Sequence, residues 1–130
     1  MTDLIRQLQQ AVDGLQFPSE TDAPVRPFVW RDKAPFSPQA LLIHRGYHST
    51  TPIGESSIDR FFRSVTTPRD WHGPEEQERV QRFTALRDLL QTELSDVTVY
   101  KIGTTAIDVY VVGRDEDGNY LGITTHVVET

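Results

Sequence analysis

Leu4, Leu8, Ala11, Val12 and Leu15 recur at three- and four-residue intervals, the spacing that lines up apolar side chains on one face of a helix. Thr2 or Asp3 stands ahead of the run as its N-cap, and Asp13-Gly14 ends it. The pattern then breaks. Phe17-Pro18-Ser19-Glu20-Thr21-Asp22 reads as a loop, because proline restricts its neighbour and Ser, Thr and Asp favour turns. Phe28-Val29-Trp30 is a short strand, followed by a proline-punctuated segment from Ala34 to Pro38. Residues 39–44 (Gln-Ala-Leu-Leu-Ile-His) fit a strand or a helix, with the strand preferred, and residues 46–54 read as polar loop.

Helical spacing returns at Ile58, Phe61, Phe62 and Val65, with Ser56 or Ser57 as the cap and Thr66-Thr67-Pro68 as the stop. Arg69-Asp70-Trp71-His72-Gly73 is a loop carrying a large aromatic residue. Pro74 sits where a first helical residue belongs, and Glu75, Glu76 and Glu78 complement the positive end of a helix dipole. Val80, Phe83, Leu86, Leu90 and Leu94 form the stripe of the longest helix.

From Val97 onward the period changes to two. Val97–Lys101 is β-branched. Ile107, Val109 and Val111 fall on one face of a second strand, with Asp108, Tyr110 and Val112 on the other. Asp115-Glu116-Asp117-Gly118-Asn119 carries a hairpin signal, and Tyr120–Val128 returns antiparallel. Helix, strand, strand, helix, helix and a closing cluster of strands make an α+β chain, with helices packed on a mostly antiparallel sheet. At 130 residues it is expected to be a single domain, 1–130.

Composition narrows the class. Hydrophobic residues make up 37% and charged ones 25%, which describes a globular chain in water, and no apolar run approaches the ~20 residues of a membrane helix. Met1-Thr2-Asp3-Leu4 lacks the basic and apolar regions of a signal peptide, so a cytoplasmic location is expected. There is no cysteine, hence no disulfide framework and no thiolate chemistry. The net charge is −6, with the acids concentrated toward both termini and an excess of bases over residues 26–70. Direct nucleic-acid binding calls for a basic stripe. Acidic surface suits a basic partner, although mild acidity also serves solubility alone.

Catalytic and metal motifs fail one by one. His44 and His48 are four apart, but no Glu follows the first and no helix is expected there. Asp115, Asp117 and Asn119 imitate the start of a calcium loop, but Tyr120 and His126 occupy the positions that need Gly and Glu. There is no Gly-x-Ser-x-Gly elbow and no phosphate loop. What remains is the Ser19-Glu20-Thr21 loop, the Thr67–Trp71 loop and the terminal β-branched run to Thr130. Trp71 is either a lid on the core, the commoner case, or an interface anchor. Thr130 would end a pinned strand with a hydroxyl and a carboxylate, or simply be the last residue of a core or edge strand.

Several segments together resemble the nuclease A inhibitor family. They are Asp13-Gly14-Leu15 with Phe17 and Ser19-Glu20; Pro27-Phe28-Val29-Trp30; Ile58-Asp59-Arg60-Phe61-Phe62; Val65 to Trp71; Ile107 to Gly113; and, most of all, Gly118 to Thr130. The resemblance implies a three-layer α/β/α sandwich of the PR-1-like type, ending in a C-terminal hairpin. It also implies an inhibitor, not an enzyme, without a cofactor or a metal of its own. The partner would be a sugar-non-specific DNA/RNA endonuclease of the ββα-metal class, covered by an acidic surface. Thr130 would approach the partner's hydrated metal, Glu20 would lie near the place of the scissile phosphate, and Arg69 and Trp71 match contact positions.

The sequence departs from that pattern where it would bind. Arg69 stands where the family has an uncharged amide, Arg26 where it has an acid, and His72-Gly73-Pro74 replaces an acidic stretch. Each change makes the expected interface less negative. Two alternatives follow: a protein-interaction module on the same scaffold with a different partner, and a small enzyme, which would need a deep pocket around His44, His48 or His126.

Overall fold

In the computed structural model, which describes residues 2–129, the first apolar stripe becomes helix α1 (Thr2–Val12), burying Leu4, Leu8 and Val12. Thr2 and Asp3 lie within its first turn, so neither is the cap expected of it. Two carbonyls at its C-terminal end are satisfied from a distance, while Gln10 O and Val12 O accept the nearby Asp13 and Leu15 N–H groups. Arg82 Nη2 donates to the Ala11 and Asp13 carbonyl oxygens at 3.1 and 2.6 Å, doing the work of a C-cap.

The stretch expected to be loop holds a two-stranded hairpin, β1 (Gln16–Phe17) with β2 (Ala23–Pro24). Strand β3 (Arg26–Val29) follows. Residues 39–44 are not a strand. They belong to helix α2 (Pro38–His44), started by Ser37, whose Oγ accepts the Ala40 N–H at 3.0 Å, and by Pro38 at the first helical position. Only Leu41 and Leu42 are buried in it, too short a stripe to show a period. The expected polar loop likewise conceals an edge strand, β4 (Ile53–Ser56).

Helix α3 (Ile58–Thr66) begins as read, with Ser57 Oγ accepting the Arg60 N–H at 3.1 Å. Helix α4 (Pro74–Glu93) opens on Pro74, and Glu76 reaches back to accept the Gly73 N–H at 3.0 Å. Strands β5 (Ser95–Ile102), β6 (Ala106–Arg114) and β7 (Tyr120–Val128) complete the chain.

Five strands form one antiparallel sheet in the order β3-β7-β6-β5-β4. The period-two alternation of β6 holds. Ile107, Val109 and Val111 enter a core with α1, α3 and α4, while Tyr110 and Val112 enter a second core with Phe28, Leu41 and Leu42. The first core is filled by aliphatic residues and by Phe17, Phe61, Phe62 and Phe83. Gly122 lies on β7 opposite Val112 of β6. A Cβ there would lie 1.8 Å from the Val111 carbonyl oxygen, so only glycine fits this register.

Candidate functional site

The far end of β7 meets the β1–β2 loop. The Ser19 hydroxyl donates to the Thr21 carbonyl at 2.7 Å and accepts the Val128 N–H at 3.1 Å. One side chain thus closes the loop on itself and ties it to the last strand. Thr125 adds a second tie, its hydroxyl donating to the Pro24 carbonyl at 3.1 Å. From the other side, the Glu129 N–H donates to Thr105 O at 2.9 Å, and Lys101 Nζ stands 4.0 Å from its carboxylate. Glu20 is exposed between Ser19 and Thr21, so it is carried on a braced loop beside the strand end. Thr130, the other residue expected there, lies outside the described residues.

Arg69 and Trp71 lie in the loop between α3 and α4, and both are exposed. Trp71 is 73% exposed and is not a lid on the core, contrary to the commoner reading of the sequence. The loop is braced by its own atoms: Arg69 N–H donates to His72 Nδ1 at 3.2 Å, and His72 N–H returns to Arg69 O at 3.1 Å. The indole rests edge-on against His72, ring centres 4.4 Å apart, and stays outside.

A cleft of about 210 Å³ lies below Trp71, walled by Pro18, Val65, Arg69, Arg79 and Val80. A second cleft holds Ser19, Arg60, Lys101, Val128 and Glu129. Pro18 and Ser64 line both, so the two clefts lie side by side and share a wall. Together they link the Trp71 loop to the Ser19 loop and the strand end. Arg26 is set apart, on edge strand β3 opposite Thr124.

The histidines do not converge. His44 Nδ1 is 2.9 Å from Asp32, His48 Nδ1 is 2.7 Å from Thr50 Oγ1, and His126 Nδ1 is 2.8 Å from Asp108. Asp108 also accepts from the Tyr47 hydroxyl, which lies 3.1 Å from that of Tyr110. Burial, followed by Asp108 and Tyr110, holds the Tyr47 phenol well above the ordinary tyrosine range. Among the described residues no group of three or more His, Asp or Glu side chains is placed to hold a metal ion.

Sequence reasoning missed the structural role of Ser19 and the cationic walls of the two clefts. Arg60 and Ser64 do stand four apart on the outer face of α3, a visible spacing. Arg79 and Pro18 come from elsewhere in the chain and are joined to them only by folding.

Among known proteins, residues 2–130 match the family described as NuiA, nuclease A inhibitor-like protein. No curated protein matches the chain. No helix among the described residues is long and apolar enough to cross a membrane.

Proposed function

The chain belongs to the nuclease A inhibitor-like family, and from that premise we propose that it is a protein inhibitor of a sugar-non-specific ββα-metal endonuclease. The whole chain would serve as one inhibitor domain, acting in the cytoplasm and blocking the active site without chemistry of its own. The finer fold description goes with this reading: two cores on opposite faces of one sheet support a three-layer, PR-1-like sandwich.

The observation that carries the proposal is the Ser19 bridge. It fixes the loop bearing Glu20 against the end of β7, so an acidic loop and the segment leading to Thr130 are presented side by side. A braced carboxylate loses little freedom on binding and can take the place of a phosphate oxygen. In this reading Glu20 lies near the position of the scissile phosphate, Thr130 approaches the partner's hydrated metal, and Arg69 and Trp71 contact the flank.

The test is titration of a ββα-metal nuclease with the purified protein, following DNA cleavage. Stoichiometric inhibition is expected. It should weaken at least ten-fold when Glu20→Ala is combined with deletion of Thr130, and weaken further with salt. Full inhibition by that double variant would overturn the mechanism. A second reading, an interaction module with another partner, is favoured by the positive charge of Arg69 at the Trp71 cleft. It predicts no inhibition of any such nuclease.

A further inference from the structure

The groove beneath Trp71 has a charge opposite to the one an acidic cover for a basic active site needs. Its acids are occupied: Glu76 accepts the Gly73 N–H at 3.0 Å, and Glu129 faces Lys101 at 4.0 Å. Its guanidiniums are not. Among the described residues Arg60, Arg69 and Arg79 make no ion pair, and their side chains donate no hydrogen bond. Arg82 is engaged on carbonyls, Arg87 with Asp88 and Arg114 with Asp96, whereas Arg6, Arg26, Arg31 and Arg63 resemble the groove arginines in making no ion pair among the described residues, so it is position beside a cleft that sets Arg60, Arg69 and Arg79 apart. Arg69 and Arg79 line the cleft beneath Trp71 with the apolar Pro18, Val65 and Val80, and Arg60 lines the adjoining cleft.

We propose that this groove is a docking site for an acidic segment of a partner protein, anchored by one apolar side chain. The proposal rests on the reading of this end as the docking end and adds the chemistry of what meets it. A cleft of about 210 Å³ is smaller than the ~300–1,000 Å³ of small-molecule sites but accommodates a single inserted side chain. Exposed Trp and Arg around an apolar pocket are the residue types that dominate interface energetics. Guanidiniums bind carboxylates through paired hydrogen bonds, and Arg69 and Arg79 offer two such forks in the cleft, with Arg60 in the adjoining one.

The net charge of −6 does not oppose this. At physiological salt the screening length is about 8 Å, so a carboxylate in the cleft responds to its own walls, Arg69 and Arg79 with Glu76, and to the Asp22, Glu75 and Glu78 that share Arg79's other side, more than to the net charge of the whole chain. The same numbers disfavour a nucleic acid. A polyphosphate needs a continuous basic track to displace its counterions, and a small cleft on an acidic protein does not supply one. A partner that met this end would therefore bring a basic region to Glu20 and an acidic shoulder to the groove.

The test uses Trp71 as its own reporter. With Trp30→Phe as background, Trp71 is the only indole, and its emission is followed during titration with the peptide Glu-Glu-Leu-Phe-Glu-Glu, capped at both ends. A saturable blue shift is expected. It should weaken at least ten-fold in Arg69→Gln/Arg79→Gln, survive in Arg69→Lys/Arg79→Lys, and fade with added salt. A peptide with Lys in place of Glu should give no shift. The proposal is overturned by no response to the acidic peptide, by an equal response to the Lys peptide, by indifference to Arg69→Gln/Arg79→Gln, or by preference for a thymidine oligonucleotide. The peptide titration decides the groove whether or not a nuclease is inhibited, so failure of the inhibitor reading and failure of the groove are separate results.

Discussion

β7 runs between two ends of the molecule that treat their charges differently. At its start, the Asp115 carboxylate accepts the N–H groups of Asp117 and Asn119 at 2.9 and 2.8 Å and the Asn119 side chain at 3.1 Å. Gly118 takes the left-handed turn position with φ +83°, and Arg114 nearby pairs with Asp96. The Asp115 carboxylate is thus used in shaping the turn and Arg114 is neutralised by Asp96, while the Glu116 and Asp117 carboxylates make no side-chain bond among the described residues. At the finish of β7, the Ser19 bridge fixes the backbone, yet Arg60, Arg69 and Arg79 make no ion pair among the described residues, and Trp71, packed only edge-on against His72, is 73% exposed beside the adjoining clefts. A turn that satisfies itself is architecture. A rigid surface with unspent charge and an exposed aromatic has capacity for a partner. The two ends therefore differ in what they have left to offer, although both are acidic in the plain sequence.

The largest way to break this contrast is to remove the strut between the ends. Gly122→Ala would place a methyl 1.8 Å from the Val111 carbonyl and drive β7 off β6. A loss exceeding the ~3 kcal/mol of ordinary overpacking is expected, with both ends lost together in thermal unfolding. Ser19→Ala should act on one end only. It leaves the Val128 N–H without its acceptor, costing about 1–2 kcal/mol. It should also weaken partner binding several-fold, because the Glu20 loop then keeps only the Thr125–Pro24 hydrogen bond as its side-chain tie to β7; calorimetry and inhibition measured on one sample check both.

A third change sharpens the picture of the same end by testing its opposite face, where Tyr47, Asp108 and His126 are bonded to one another. Tyr47→Phe should cost about 1 kcal/mol and leave binding unchanged. The folded-state pKa of Tyr47 is raised, so its contribution is complete below the ordinary tyrosine value near ~10 and is lost as pH rises through the folded value. Stability of the parent protein should accordingly fall in strong alkali, and Tyr47→Phe should flatten that part of the profile. The smallest effect belongs to the spent end. At Asp115 burial raises the pKa, but the Asn119 and Asp117 hydrogen bonds outweigh it and hold it below the ordinary carboxylate range. Its stabilisation is thus present above about pH 4 and lost in acid. Asp115→Ala should cost roughly 0.5–1 kcal/mol at neutral pH, vanishing in acid, without altering binding.

Strong periodicity and local caps were legible in the sequence. α4 announced itself through Pro74 and a stripe ending at Leu90 and Leu94, and β6 through the alternation of Ile107, Val109 and Val111 with Tyr110 and Val112. Short elements were not legible. Leu41-Leu42-Ile43 looks like a strand unless Ser37-Pro38 is given the weight of a helix start. β4 contains Gly54 and Glu55 and is held by β5 alone, so its own residues carry little strand signal. The position of Trp71 depended on whether the core had room for it. Phe62 and Phe83 already fill that core, and the Arg69–His72 bracing keeps the loop outside. The family resemblance pointed to Glu20, Arg69 and Trp71, but the wall of Pro18 and Ser64 shared by the Trp71 cleft and the Ser19 cleft exists only in three dimensions.

The Ser19–Val128 hydrogen bond joins residues 109 positions apart, and the Thr125–Pro24 bond joins residues 101 apart. Contacts of such separation close the longest loops in a chain, and the entropy of closing them is spent before they give anything back. The β6–β7 hairpin can form from neighbours alone, whereas the docking end must wait for the first hairpin and the last strand to find each other. Timing therefore separates the two ends as charge does: a molecule caught midway through folding carries its acidic turn but has no means of recognition. Pulse-labelled amide exchange should show the Val128 N–H becoming protected after those of the β6–β7 hairpin.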